Sequence, residues 1–283
     1  MNRQKVWFQN VCLFLLISAL LLAGCGSRQR VGALQTESKS VELGDAESVR
    51  VEIDLGAGDL EVTGGAEKLL EADFYYNVAR LKPEVAYTEG TLVVRQPNVK
   101  GFPVLRDSAG YLNEWGLHLY DEVPMDLSLD IGAGASDLQL AGLSLTRLDV
   151  NLGAGESTID LSGDWAHDLN VTIDAGAADI RVRLPREVGA RGEVEAGVGT
   201  IKAPGLIKDG DVYTNAAYGA SDVTLHVNVK AGIGRIKLEV EEAAATPDYS
   251  SITGELSKQV QAAMEEAGIT GLSVALVDDQ EIV

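Results

Sequence analysis

Apolar and polar side chains alternate strictly in six stretches of the chain: Val49, Val51, Ile53 and Leu55; Leu127, Leu129 and Ile131; Leu148, Val150 and Leu152; Leu169, Val171 and Ile173; Val223, Leu225, Val227 and Val229; and Ile236, Leu238 and Val240. Successive side chains of a strand point to opposite faces, so each stretch reads as a strand with one buried and one solvated face. A phrase of small residues recurs among them as DLGAGDLEV, DIGAGASDLQL, NLGAGESTIDL, IDAGAADIRV, VEAGVGTIKA, AAYGASDVTL and KAGIGRIKL. Its first glycines at Gly132, Gly153, Gly176, Gly197 and Gly219 follow one another at 21, 23, 21 and 22 residues, with a last unit at Gly232. A period of this length, built of strands with no helical stretch inside it, predicts an all-β fold. The expected form is a β-solenoid of about 21–23-residue coils with Gly-Ala-Gly corners, stacked because one coil cannot bury its apolar face alone.

At such a corner the backbones of neighbouring coils come close, which selects glycine and alanine. The expectation is an inward ladder of small residues, with Gly153, Ala154 and Gly155 as one rung and Ala154→Leu as an overpacking change. A phosphate-binding loop is excluded, since no triplet completes G-x-G-x-x-G before a helix and no G-x-x-x-x-G-K-[ST] occurs. Acids follow several corners (Asp59, Asp137, Asp179, Asp222), but the nine-residue period of calcium β-rolls is missing and Thr200 and Arg235 take the same place elsewhere. Asp is a common turn residue that accepts backbone hydrogen bonds, and that is the role expected of these.

Residues 65–125 interrupt the pattern. They hold eight of the twelve aromatics beyond residue 24, namely Phe74, Tyr75, Tyr76, Tyr87, Phe102, Tyr111, Trp115 and Tyr120. Two roles fit this insertion. It caps an end of the solenoid whose edge would otherwise be open, or it offers a recognition patch made of Phe102, Tyr111, Trp115 and Tyr120.

The chain opens on Arg3 and Lys5, an apolar run from Val11 to Ala23, and Leu22-Ala23-Gly24-Cys25. The run is short for a membrane span, so residues 1–24 read as a signal peptide. LAGC resembles the lipobox of bacterial lipoproteins, which implies that Cys25 carries the lipid and becomes the first residue after cleavage. Cys12 lies in the leader, so no intramolecular disulfide is expected in the rest. Residues 25–44 read as a polar tether, with folding expected to start near Val49. Residues 1–24 carry two basic and no acidic side chains, so the remainder holds 23 − 2 = 21 basic against 43 acidic residues, a formal charge of −22. That surface repels nucleic acid and anionic headgroups, leaving the lipid at Cys25 as the membrane contact.

Beyond Val240 the composition changes. Residues 242–250 read as a linker. Ile252, Leu256, Val260 and Met264 then mark an amphipathic helix ending at Gly268, followed by a strand, an Asp-Asp turn and a second strand. Histidines 118, 167 and 226 have no ligand spacing to one another, and no metal, cofactor or catalytic residue is expected.

The alternating coils with their GAG corners, the acidic start and the hairpin around LEADFYYNVARLKPEVAYTEGTLVVRQ resemble the toast-rack β-solenoid domains of bacterial envelope proteins over roughly residues 45–241. These are relatives of adhesin-like repeat domains and of LiaF-type cell-wall-stress proteins. The resemblance implies a non-enzymatic structural or interaction module outside the membrane, with cell-wall polymer or another envelope protein as partner and a part in envelope stress response. Residues 251–283, through Gly268-Ile269-Thr270-Gly271-Leu272, resemble the opening of the serine β-lactamase and penicillin-binding-protein fold. That likeness implies an alternative, in which the solenoid is the spacer of an anchored serine hydrolase. No Ser-x-x-Lys occurs in the chain, and Tyr75-Tyr76-Asn77 and Tyr213-Thr214-Asn215 match Y-x-N by letter alone.

Overall fold

The computed structural model describes residues 31–97, 110–241, 250–268, 277–278 and 281–282. Its first element already departs from expectation. Residues placed in the tether form strand β1 (Gln35–Val41), which pairs antiparallel with β4 (Leu70–Tyr76) along its whole length. Its polar sequence, QTESKSV, hides a strand whose inner positions Glu37, Lys39 and Val41 are only half-buried. Glu37 is held there by ion pairs to Lys39 at 2.7 Å and Lys82 at 3.0 Å, so ordered charge replaces the apolar signal on which alternation depends.

Each later coil is one long strand bent at its glycines: β8 (Met125–Gln139), β9 (Leu145–Asp160), β10 (Leu169–Leu184), β11 (Gly189–Lys202) and β14 (Thr224–Val240). The bend reverses the inward parity. In β9, Leu148, Val150 and Leu152 point inward, then Ser157 and Ile159, a step of five where alternation allows only even steps. Gly155 absorbs the change at φ +139°, a backbone region that a Cβ all but forbids. Connections as short as residues 185–188 return the chain from the end of one coil to the start of the next. At about 3.3 Å per residue so few residues cannot bridge two legs laid out straight. Each coil therefore closes as a wedge with both apolar faces inside, and Gly192 in the first leg of β11 meets the Leu238 side chain from the second leg of the neighbouring β14. The buried residues of both legs form one core.

The coils stack in parallel, in register, as a 14-stranded sheet. A Cβ built on Gly153 would lie 2.2 Å from the carbonyl oxygen of Gly132, and one on Gly155 1.9 Å from that of Gly134. The close approach thus belongs to the outer residues of each triplet. This corrects the inward ladder: Ala154 is exposed, as is Ala177, and the equivalent positions in β14 and β11 carry the exposed Ile233 and Val198. The middle residue sits at the apex of the bend and points away from the core. Side-chain size is instead matched across the bend. Where the last inward residue before it is large (Ile131, Leu152), the first one after it is Ser136 or Ser157, whose buried hydroxyls bond each other at 2.8 Å. Where it is Ala175, Ala231 or Ala196, its counterpart is Ile180, Ile236 or Ile201.

The unit at Gly219 is also corrected. Residues 216–222 form a turn, with Gly219 at φ +82°, and no coil. The order of coils is β8-β9-β10-β14-β11, because β14 inserts between β10 and β11 and pairs parallel with both.

The strands described within residues 65–125 belong to the sheet. The first coil is split into β2 (Val49–Leu55) and β3 (Asp59–Thr63), both parallel to β8. Beyond β2 lie β6 (Thr91–Arg95) and β5 (Glu84–Thr88); beyond β3 lie β7 (Asn113–Leu119), β4 and β1. These strands extend the sheet at that end of the stack, with Phe74 and Trp115 buried edge to face at 5.3 Å between ring centres. At the other end β13 (Val212–Thr214) and β12 (Ile207–Asp209) continue only the first leg of β11, at Arg191–Glu193. Buried asparagines satisfy the backbone at both ends. Asn113 donates to Ala57 O at 2.6 Å, and Asn215 donates to Pro185 O at 2.9 Å and Val188 O at 2.7 Å while accepting from Ala190 N at 2.9 Å.

Residues 242–283 form a second unit. Helix α1 (Ser250–Ala267) ends at Gly268 in the left-handed conformation at φ +65°, with Leu256, Val260 and Met264 half-buried; β15 (Val277–Asp278) and β16 (Glu281–Ile282) form a hairpin.

Candidate functional site

A groove of about 820 Å3 crosses the outer face of the stack beside the bends. Its floor is the row Gly56, Gly132, Gly153, Gly176, Gly232 and Gly197, one glycine from each coil, where the lack of side chains leaves the backbone bare. Its rim is the residue two positions earlier in each strand: Asp54, Asp130, Asn151, Asp174, Lys230 and Glu195, in spatial order. Inward parity of the intervening residue forces the rim side chain and the glycine onto the same outer face. Neighbouring strands lie about 4.8 Å apart, so the rim is a regular array of carboxylates interrupted by one amide and one ammonium.

Crowding is felt at the end of the array. Burial pushes the Asp54 carboxyl above its usual range and the neighbouring Asp130 adds to this, against the pull of Arg95. Charge repulsion of this kind attracts a cationic group laid along the rim. Sequence reasoning missed the rim, although its signal is present as the repeated D-L-G, D-I-G, N-L-G, D-A-G and E-A-G triplets. The acids that follow the glycines are the more conspicuous set.

Two of those following acids accept backbone hydrogen bonds, but from within strands and across to a neighbouring coil, not in turns. Asp59 accepts a hydrogen bond from Ala135 N at 3.2 Å, and Asp179 accepts from Arg235 N at 3.0 Å while pairing with the Arg235 guanidinium. The Arg235 hydrogen bonds, working against partial desolvation, hold the Asp179 carboxyl below its usual range.

The aromatic patch does not assemble as expected. Trp115 is 1 % exposed and donates its indole N–H to Asn113 Oδ1 at 3.1 Å; β7 alternation turns it into the core, so it is removed from any surface patch. Tyr111 is half-buried and donates to Ala57 O at 3.1 Å, bracing the first bend. Tyr120 donates to Glu122 Oε2 at 2.7 Å. Phe102 and Cys25 lie outside the described residues. His118 shares a hydrogen bond of 2.6 Å with the Thr63 hydroxyl, and His167 and His226 are exposed. Asn77 and Asn215, the asparagines of the two Y-x-N matches, are both buried in backbone contacts, Asn77 accepting from Leu112 N at 3.0 Å.

The chain is similar over 74 % of its length, and over all of the other, to the crystal structure of a provisionally named cell adhesion protein from Clostridium sporogenes, at 32 % identity and a TM-score of 0.71. Structures of provisionally named adhesins from Bacteroides fragilis (11 % identity, 73 % of this chain and 97 % of the other, TM-score 0.23) and Parabacteroides distasonis (9 %, 74 % and 98 %, TM-score 0.27) also match, with scores too low to add to the fold assignment. No curated protein matches the chain. Residues 30–183 match the family described as the N-terminal domain of toast_rack, and that match starts ahead of β1, in agreement with the strand found where a tether was expected. With its GAG-bent coils, its split first coil and this match over more than half its length, the chain belongs to the toast-rack family.

Proposed function

We propose that this protein is a non-enzymatic interaction module held outside a bacterial membrane by a lipid on Cys25, and that it presents its glycine-floored groove to an extended polymer of the cell envelope. The observation that carries the reading is the groove itself. It runs unbroken across six strands, repeats one contact per coil, and has the length and regularity that suit a polymer. The acidic rim selects cationic groups, so a wall polymer bearing free amines is the preferred ligand class. The adhesive role named for the Clostridium protein agrees with a binding surface of this kind. A place against the wall also suits a part in envelope stress response.

The test is co-sedimentation of the protein with purified insoluble cell wall. Binding is expected for the unmodified protein, and a loss of at least tenfold on acetylating the wall amines or on Asp130→Lys with Asp174→Lys. Equal sedimentation of the charge-reversed and unmodified proteins would overturn the groove assignment.

A second reading follows from residues 242–283, whose helix and hairpin form a unit of their own: the toast-rack domain spaces a serine-hydrolase-like domain from the membrane. A reading frame that continues past Val283 into a Ser-x-x-Lys helix supports it, and a stop codon there refutes it.

A further inference from the structure

We infer that copies of this chain associate end to end, the free edge of β11 in one copy accepting β1 of the next. Four features of the two ends bear on this contact.

The first is the pair of open edges. Among the described residues, 197–202 of β11 pair only with β14, because β13 covers β11 no further than its first leg, and β1 pairs only with β4. Both strands therefore offer unused backbone donors and acceptors along one side. The second is direction. β1 runs antiparallel to β4, β4 antiparallel to β7, and β7 parallel to β3 and hence to every coil, so β1 and β11 point the same way. A copy displaced along the stack continues the sheet as another parallel pair.

Shape is the third. Among the described residues, three strands (β7, β4, β1) project beyond the first coil at one end in the layer of the second legs and none project beyond β11 at the other. In the layer of the first legs, two strands project at each end: β6 and β5, then β13 and β12. Shape also sets a condition: once β1, β4 and β7 of the next copy fill the three places beyond β11 in one layer, β13, β12, β5 and β6 compete for three places in the other, so the contact requires the three-residue outer strand β12 to move aside.

Chemistry of the surface is the fourth. One row of the outer face runs through paired positions from β1 to β11 and reads Ser38, Asp73, Gly116, Glu61 and Asp137 towards the first end, then Thr158, Arg181, Lys237 and Lys202 at the last. Arg181 and Lys237 also pair with Glu239 of their own copy, and stacking sets Lys202 of one copy near Asp73 of the next. Exposed apolar side chains gather at the same ends: Val31, Leu34 and Tyr75 at one, Val198 (67 % exposed), Ile207 (65 %) and Tyr218 at the other.

Because the two surfaces differ, the contact is heterologous and repeats without closing, giving chains of copies. Edge positions Thr36 and Thr200 fall in one row of the extended sheet and are both exposed. The test takes the full chain with Cys12→Ser and Cys25→Ser in mild detergent, adds Thr36→Cys and Thr200→Cys singly and together, and treats each with a short bis-maleimide. The double variant is expected to give a ladder of three and more copies, each single variant no more than dimers, and Lys202→Glu in the double variant a ladder weakened at least threefold. Circular dichroism matching the parent shows that each variant is folded. A double variant that runs no further than the singles would overturn the inference, and so would single variants that dimerise as fully as the double, since that signals a symmetric contact.

Discussion

Replacing Gly155 by alanine separates the two demands that a bend makes of its glycine. The added Cβ would lie 1.9 Å from the Gly134 carbonyl oxygen, well inside contact distance, and would hold φ at +139°. Backbone strain of that kind costs about 1–3 kcal/mol, and overpacking against an unyielding backbone about 1–3 kcal/mol. Together they amount to roughly 2–6 kcal/mol out of a typical stability of about 5–15 kcal/mol. At about 2–4 °C per kcal/mol for a domain of this size, the melting midpoint should fall by at least about 4–8 °C. Gly142→Ala is the control: its φ is +87° and no described atom lies within 4 Å, so it carries strain without collision. Ala154→Leu, at the exposed apex, should change the midpoint by less than about 2 °C, as surface substitutions stay within about 0.5 kcal/mol. Thermal melts by circular dichroism, backed by urea unfolding, rank the three. A Gly155→Ala protein that melts no lower than Gly142→Ala, or an Ala154→Leu protein that melts lowest, would refute the collision.

Further outcomes follow from the core and from the charges. Ile180→Ala should cost about 2–5 kcal/mol by opening a cavity and Ala175→Leu about 1–3 kcal/mol by overpacking. If the two sizes compensate across the bend, the double variant should cost at least about 1 kcal/mol less than their sum, and strict additivity in urea unfolding would refute the compensation. Asp54 has a raised folded pKa, so its ionisation weakens the fold as pH rises from its ordinary 3.8 through the folded value. Asp54→Asn should therefore raise the midpoint at pH 7 and leave it unchanged at pH 3. Asp160 is the opposite case. Desolvation is outweighed by hydrogen bonds from Ser162 and by Arg183 at 2.6 Å, which depress its pKa, so its contribution is present above 3.8 and lost as pH falls. Asp160→Asn should lower the midpoint at pH 7, with the difference closing in acid; a difference that stays constant with pH would contradict this.

How much of this was legible depends on which force holds each element. Strands held by apolar alternation, such as Leu148 to Leu152 in β9 or Leu225 to Val229 in β14, announce themselves because burial imposes a period of two. The glycine period likewise exposed the coils, since close backbone approach tolerates almost nothing else. β1 was hidden because ion pairs around Glu37 hold its inner face. The apex alanines were misplaced because the parity change at Gly155 is a backbone event, and letters alone do not reveal which of three small residues faces inward. Gly219 mimicked the repeat by composition while lacking the flanking alternation on its N-terminal side. The position of β14 between β10 and β11 is a non-local pairing that spacing along the chain cannot encode. The groove rim was legible in principle, two residues before each glycine, yet it becomes a site only when register aligns the coils.

The most direct test of the proposed placement is fractionation of cells that express the full chain, combined with protease treatment from outside the membrane. The account predicts that the unmodified protein partitions with membranes and is digested from outside, and that Cys25→Ala moves it to the soluble fraction. Retention of the Cys25→Ala protein in the membrane fraction, or protection of the unmodified protein in the cytoplasm, would contradict it.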